Sequence, residues 1–236
     1  MSFTVVSAFW PVKNKYGYEK YFDWMKKSLR INCPYVFFST AEIIEKIKEI
    51  RNDLPTYYIE LNLEDLYCYR YKNNLLTCEP HVPSSLVNVI WNEKVFLLER
   101  AFKVNPFNSE FFMWIDAGIY FYRNEYPPRT IFPNENKIKT LPKDKFIFSS
   151  SDSNFFEEYK VHDNHYYHHI AGTSFIIHKN IITYFTQIYK TYIDKYLSQY
   201  NWVNTEQKIL THILTEHPEL FYKLCHGYGE IVKELK

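Results

Sequence analysis

The segment Phe111-Phe112-Met113-Trp114-Ile115-Asp116-Ala117-Gly118 constrains this chain more than any other, because an apolar run closes on a single carboxylate. Met113, Trp114 and Ile115 read as a strand buried on both faces, and Ala117-Gly118 supply small residues that let a ligand or another backbone come close. A carboxylate at that depth is costly unless it meets a cation, a metal or several donors. A functional site is one reading of Asp116. The other is an acid that caps a turn or pairs with a buried Lys or Arg.

The flanking sequence supplies a sheet for that strand to join. Thr4 to Phe9 reads as an opening strand, and Tyr18, Tyr21, Phe22, Met25 and Leu29 follow at helical spacing. A second unit runs from Pro34 to Phe38, with Ser39 and Glu42 as a capping box ahead of Ile43, Ile44, Ile47 and Ile50. Thr56 to Leu61 is a third strand, whereas Glu64 to Pro83 carries no clear period. Ser84 or Ser85 caps a long helix that contains Lys94 and ends near Asn105-Pro106, directly before the Asp116 strand. Residues 124–144, rich in Pro and charge, form a long connection of the kind that flanks active sites. Lys145 to Ser149 and Gly172 to Ile177 are further strands; Asn180 and Asn204 cap amphipathic helices. Alternating strands and helices argue for α/β architecture with a largely parallel sheet.

At 236 residues the chain is read as one domain able to bury a sizeable core. Lys plus Arg total 28 against 27 Asp plus Glu, so no global positive field gathers nucleic acid or an anionic membrane. With no leader pattern at Met1 and no apolar stretch of about 18 residues, a soluble cytoplasmic protein without a transmembrane segment is expected. Cys33, Cys68, Cys78 and Cys225 are dispersed and suit reduced thiols rather than disulfides or zinc. Dinucleotide, P-loop, α/β-hydrolase and zincin signatures are missing, and five glycines do not make a phosphate cradle. An α/β protein can instead neutralise a nucleotide diphosphate through a metal on a carboxylate at a strand's end, where Asp116 stands.

Asn105-Pro106-Phe107 followed by Phe112-Met113-Trp114-Ile115-Asp116-Ala117-Gly118 resembles the signature of the HtrL/YibB-like bacterial protein family, grouped with GT-A-type glycosyltransferases. Thr4 to Phe9, Trp91 with Lys94, Gly172 to Phe175 and Thr205-Glu206-Gln207 fall in the family's order, so the resemblance spans nearly the whole chain. It implies a single GT-A-like domain over residues 1–236, with 1–118 as the nucleotide-sugar-binding half and 119–236 as the acceptor-binding half.

The resemblance also implies roles. Asp116 matches the first carboxylate of the GT-A D-x-D motif, which holds Mn²⁺ or Mg²⁺ against the donor diphosphate; the third position is Gly118, a departure that removes one ligand. His226 resembles a late metal ligand of glycogenin-like transferases, or is a surface His in a Gly-containing turn. Lys94 resembles the helix cation that meets sugar or phosphate, or is a solvated lysine. Ala8 and Phe9 fall where GT-A folds hold the base and ribose, or are plain core. Glu206 acts as general base toward the acceptor or only complements a helix dipole. The cluster His162, Asp163, His165, His168 and His169 matches no established metal spacing, and Asp152 orients an acceptor hydroxyl or forms a turn.

The activity implied is transfer of a sugar from a nucleotide sugar to a saccharide or glycoconjugate hydroxyl. Two rivals stand beside it: a sugar nucleotidyltransferase, whose Gly-rich basic N-terminal loop is lacking in Trp10 to Lys15, and a carbohydrate- or nucleotide-binding module without turnover.

Overall fold

The computed structural model describes residues 2–77, 79, 81–151, 168–199 and 205–236. Strands β1 (Phe3–Ala8), β2 (Tyr35–Ser39), β3 (Thr56–Glu60), β4 (Phe111–Ile115), β5 (Phe146–Ser150), β6 (Ile170–His178) and β7 (Phe221–His226) form one seven-stranded sheet in the order β3-β2-β1-β4-β6-β5-β7. Only β6 opposes its neighbours: it pairs antiparallel with β4 and β5, and the other pairings are parallel.

Helices α1 (Tyr18–Ser28), α2 (Ala41–Arg51) and α7 (Glu230–Glu234) cover one face; α3 (Ser85–Val104), α5 (Ile182–Leu197) and α6 (Glu206–Glu216) cover the other. Because side chains alternate along a strand, β4 sends Phe112 and Trp114 into one core and Phe111, Met113 and Ile115 into the other. All five are buried, as a strand covered on both faces requires.

Strand order positions the site. From β1 the chain moves outward to β2 and β3, then returns through α3 to place β4 on the other side of β1. The carboxyl ends of β1 and β4 thus diverge at a topological switch point, the crevice where open α/β sheets bind ligands.

Local chemistry sets the elements that matter most. Ser84 caps α3 by accepting the Leu86 N–H at 3.2 Å, and the helix stops on Asn105, which adopts a left-handed conformation with φ 40°. The Asn105 carboxamide oxygen accepts the Ser109 N–H at 2.7 Å, fixing the turn into β4. The 3-10 turn Leu63–Asp65 leads into the stretch that shows no periodicity in sequence and Tyr67–Tyr71 lies within it, so local hydrogen bonds and not a buried stripe define them. Glu93 on α3 anchors them, its carboxylate accepting the N–H groups of Tyr67 and Cys68 at 3.0 and 2.9 Å.

Several expected details differ. No capping box forms at α2: the Ser39 hydroxyl, still in β2, donates to the Phe9 carbonyl, and Thr40 is the N-cap. Ile181, not Asn180, is the N-cap of α5, because the Asn180 N–H turns back to His178 Nδ1 at 3.1 Å. Residues 124–144 contain the short helix α4 (Glu135–Ile138), and Tyr126, Pro127 and Arg129 line a cavity with Asn32 and Leu54. Those partners precede β2 and β3, so that part of the connection borders the amino-terminal edge of the sheet, away from Asp116. The edge strand β7 is half exposed and escapes the apolar patterns that mark the inner strands. Cys33, Cys68 and Cys225 are free thiols. Cys78, Asp152, the histidines at 162 and 165 with Asp163, and the Asn204 cap lie outside the described residues. Among the described residues no helix is long and apolar enough to cross a membrane.

Candidate functional site

Asp116 is the first residue past β4. Its N–H donates to the Thr173 carbonyl at 3.0 Å, tying it to the start of β6, and its Oδ1 accepts the Trp114 indole N–H at 2.7 Å. The same oxygen lies 3.0 Å from Lys94 Nζ. Lys94 also donates to Glu206 Oε1 at 2.6 Å and to the Gly172 carbonyl at 2.8 Å. An ammonium has three N–H donors, and here all three are committed.

Helix α3 thus carries a cation into the gap between β4 and the first turn of α6. Only glycine permits this closeness at position 172, where a Cβ would stand 2.2 Å from Glu206 Oε1 and 2.6 Å from Gln207 Cγ. The Lys94 and Glu206 side chains are 3% and 2% exposed, whereas Asp116 is 23% exposed. Asp116 therefore presents the group's charge to the outside, with Lys94 and Glu206 behind it.

Burial governs the titration. Burial pushes the Glu206 carboxyl up to about 7, although Lys94 opposes the rise; the Asp116 charge adds to it. Burial alone would lower the Lys94 ammonium, but Asp116 and Glu206 outweigh it and hold Lys94 above the ordinary lysine range. The group therefore contains a buried cation held by its acidic neighbours and, beside it, a buried carboxyl whose protonated form burial favours.

Over this floor opens a cleft of about 680 Å³, within the usual size range of small-molecule sites. Phe9, Trp10, Tyr16, Trp91 and Trp114 give its walls an aromatic character, and His168, Gln207 and Tyr228 stand at the side formed by the carboxy-terminal half. The phenol of Tyr228 is within hydrogen-bond reach of His168 Nε2, and Gln207 Nε2 donates to the Ile170 carbonyl at 3.0 Å.

Of the residues singled out in the sequence, Asp116, Lys94, Glu206, Ala8 and Phe9 all meet at this cleft. The alternative for Asp116, pairing with a buried basic residue, holds as well: the partner is Lys94, and the cleft opens beside the pair. Lys94 is not a solvated lysine. Glu206 does open a helix, but both its oxygens are enclosed, and Oε2 has no hydrogen-bond partner among the described residues. In this geometry its Oε1 is engaged by Lys94.

Gly118 and His226 are placed elsewhere. The Gly118 carbonyl accepts from Arg123 Nε at 2.9 Å, and the Tyr21 ring fills the space a side chain would need, 3.1 Å from a Cβ. His226 ends β7, three places from β4 in the sheet, roughly 14 Å away at the usual strand spacing, and its Nδ1 lies 2.8 Å from Ser150 Oγ. Among the described residues no three His, Cys, Asp or Glu side chains converge where a metal ion could bind. The donors among the described residues therefore do not fit the divalent cation that a D-x-D motif implies: the charge between the two carboxylates is the Lys94 ammonium.

Sequence reasoning passed over the Trp114 indole, the Gly172 carbonyl, Lys15, Tyr16, Arg123 and Tyr228. Trp114 stands in the same conspicuous segment as Asp116, and Arg123 follows shortly after it, but no spacing rule marks them.

A family model described as a bacterial protein of unknown function, HtrL_YibB, matches residues 59–231. The chain belongs to the HtrL/YibB family. The matched region contains Lys94, Asp116, Gly172 and Glu206, the four residues that meet at the floor. No curated protein matches the chain in sequence. Among solved structures, the apo form of mouse xyloside xylosyltransferase 1 superposes with a TM-score of 0.55 at 12% identity, covering 95% of this chain and 85% of that one. The architecture is accordingly the GT-A-like one: a mixed, mostly parallel sheet flanked by helices. The apo glycosyltransferase GlyE of Streptococcus pneumoniae matches at 0.46 and 13% identity, with 95% of this chain on 45% of that one. The 4-diphosphocytidyl-2C-methyl-D-erythritol synthase of Anaerococcus prevotii matches at 0.40 and 14% identity, covering 97% and 90%. Neither of these looser matches carries an argument.

Proposed function

We propose that the chain is a glycosyltransferase that moves a sugar from a nucleoside-diphosphate sugar to a hydroxyl of a saccharide or glycoconjugate. One observation carries the reading: a carboxylate clamped at the switch-point edge of a GT-A-like sheet forms the floor of a cleft large enough for such a donor. The cleft's chemistry suits that ligand. Phe9 and Trp10, at the end of β1, offer flat apolar surface to the base, and the exposed part of Asp116 accepts hydrogen bonds from sugar hydroxyls. His168, Gln207 and Tyr228 provide polar contacts for an acceptor. On this reading residues 1–118 bind the nucleotide sugar and residues 119–236 the acceptor.

Transfer breaks the bond between the anomeric carbon and the diphosphate oxygen, and the electron pair leaves with the diphosphate. The acceptor oxygen bonds the anomeric carbon, and its proton passes to the departing diphosphate. The floor is fixed by hydrogen bonds before any ligand arrives, so its contribution is preorganised electrostatics and orientation. Glu206 is a positioning residue in this scheme: it holds Lys94, and Lys94 holds Asp116.

Incubation with a panel of nucleotide sugars and simple saccharides tests the proposal. Free nucleoside diphosphate that depends on an acceptor supports transfer, pyrophosphate released in a parallel incubation with nucleoside triphosphates and sugar 1-phosphates points to nucleotidyl transfer, and ligand-induced stabilisation without product reduces the protein to a binding module. Asp116→Asn keeps the fold and lowers turnover by about a hundredfold or more; wild-type turnover in that variant removes Asp116 from the chemistry.

A further inference from the structure

The second half of a D-x-D motif is missing here, and the structure holds something else in its place. The Gly118 carbonyl accepts Arg123 Nε at 2.9 Å. The Arg123 guanidinium stacks 3.8 Å above the Trp24 ring and lies 5.4 Å from the Tyr16 ring centre. One edge of the guanidinium is thus held by backbone and one face by an indole, a preorganised arginine of the kind that recognises phosphate. Arg123 lines the cleft, together with Tyr16 and Lys15, whose ammonium lies 4.7 Å from the Tyr16 ring centre. Burial would raise the Tyr16 phenol, but hydrogen bonding and charge from Lys15 and Arg123 overcome it and bring it below the ordinary tyrosine range. A phenol stabilised as an anion reports a local positive field. Asp116 and Ala117 border the same cleft, so this cationic rim stands beside the carboxylate floor.

Resting on the glycosyltransferase reading, we infer that Arg123 and Lys15 are the diphosphate-binding cations of this site, taking the charge-neutralising task that a divalent metal performs in D-x-D enzymes. Gly118 then has a definite use: its carbonyl aims the arginine, and its lack of a side chain leaves room for Tyr21, which covers it. When the bond to the anomeric carbon breaks, the electron pair stays on the diphosphate, and the added negative charge falls on oxygens paired with the held guanidinium and the neighbouring ammonium.

The test is isothermal titration of the full-length protein with UDP, GDP, ADP and CDP and the matching monophosphates, once in EDTA and once in Mn²⁺. At least one diphosphate is expected to bind in EDTA with an affinity within about threefold of that in Mn²⁺, and about tenfold tighter than its monophosphate. Arg123→Gln is expected to weaken that diphosphate about tenfold while leaving the monophosphate nearly unchanged. Lys15→Gln, at an exposed position that the fold does not depend on, weakens it about threefold. Diphosphate binding that requires Mn²⁺ overturns the inference and leaves the glycosyltransferase reading standing. So does undiminished diphosphate binding by the Lys15 variant together with a folded Arg123 variant. Failure of all four diphosphates in both conditions overturns both.

Discussion

Replacing Lys94 by Met removes the cation on which the floor depends and leaves its partners in place. Glu206 Oε1 then loses its charged partner, and the Gly172 carbonyl loses its donor at 2.8 Å. Breaking one side of a buried ion pair costs about 3–5 kcal/mol. The pH dependence identifies the cause. Glu206 titrates near 7 in the native protein against an ordinary 4.5, so between those values the folded chain holds a proton that the unfolded chain has released, and stability falls as pH rises. At about 1.4 kcal/mol per unit, that interval corresponds to roughly 3 kcal/mol in the native protein. Without Lys94 the Glu206 carboxyl rises further, and the loss extends beyond pH 7. Urea unfolding at pH 5 and pH 8 should find Lys94→Met penalised more at pH 8, by an additional ~1–3 kcal/mol relative to the native protein. Lys94→Met/Glu206→Gln should recover about 1–3 kcal/mol of the single variant's loss at pH 8. Equal penalties at the two pH values, or simple additivity of the two substitutions, would refute the claim that the ammonium compensates a buried carboxylate.

Gly172→Ala forces a methyl to within 2.2 Å of Glu206 Oε1; it should lower stability by about 1–3 kcal/mol in thermal melts, and an unchanged melting temperature would mean that α6 is free to shift. Glu93, pushed up to about 7 by burial against the opposing pull of the Cys68 and Tyr67 N–H groups, makes native stability fall as pH rises from about 4.5 to about 7. Glu93→Gln, nearly isosteric with the protonated acid, should flatten that slope by up to roughly 3 kcal/mol in denaturant titrations across the range; an unaltered slope would assign the pH dependence to other groups.

Much of the sheet is legible in sequence because its inner strands are continuous apolar runs, and α1, α2, α3 and α5 because their apolar residues recur at helical spacing. The capping errors share one cause: Ser39 and Asn180 sit beside tertiary or turn partners, Phe9 and His178, that a linear reading does not bring near. The half-exposed edge strand β7 shows the weak pattern such strands have. At the site, Asp116 is legible because a carboxylate ends an apolar run, and Lys94 and Glu206 through resemblance. Their mutual contact is not, since 112 residues separate the pair. Arg123 escapes notice because the ring that holds its face, Trp24, belongs to α1, far away in sequence.

A lysine whose donors are all spent has no freedom to follow a visitor. The floor of this cleft is a fixed electrostatic template, and adaptation to one ligand or another falls to the walls and rim around it. A redesign for another substrate would therefore start from those walls and leave Lys94, Asp116 and Glu206 in place.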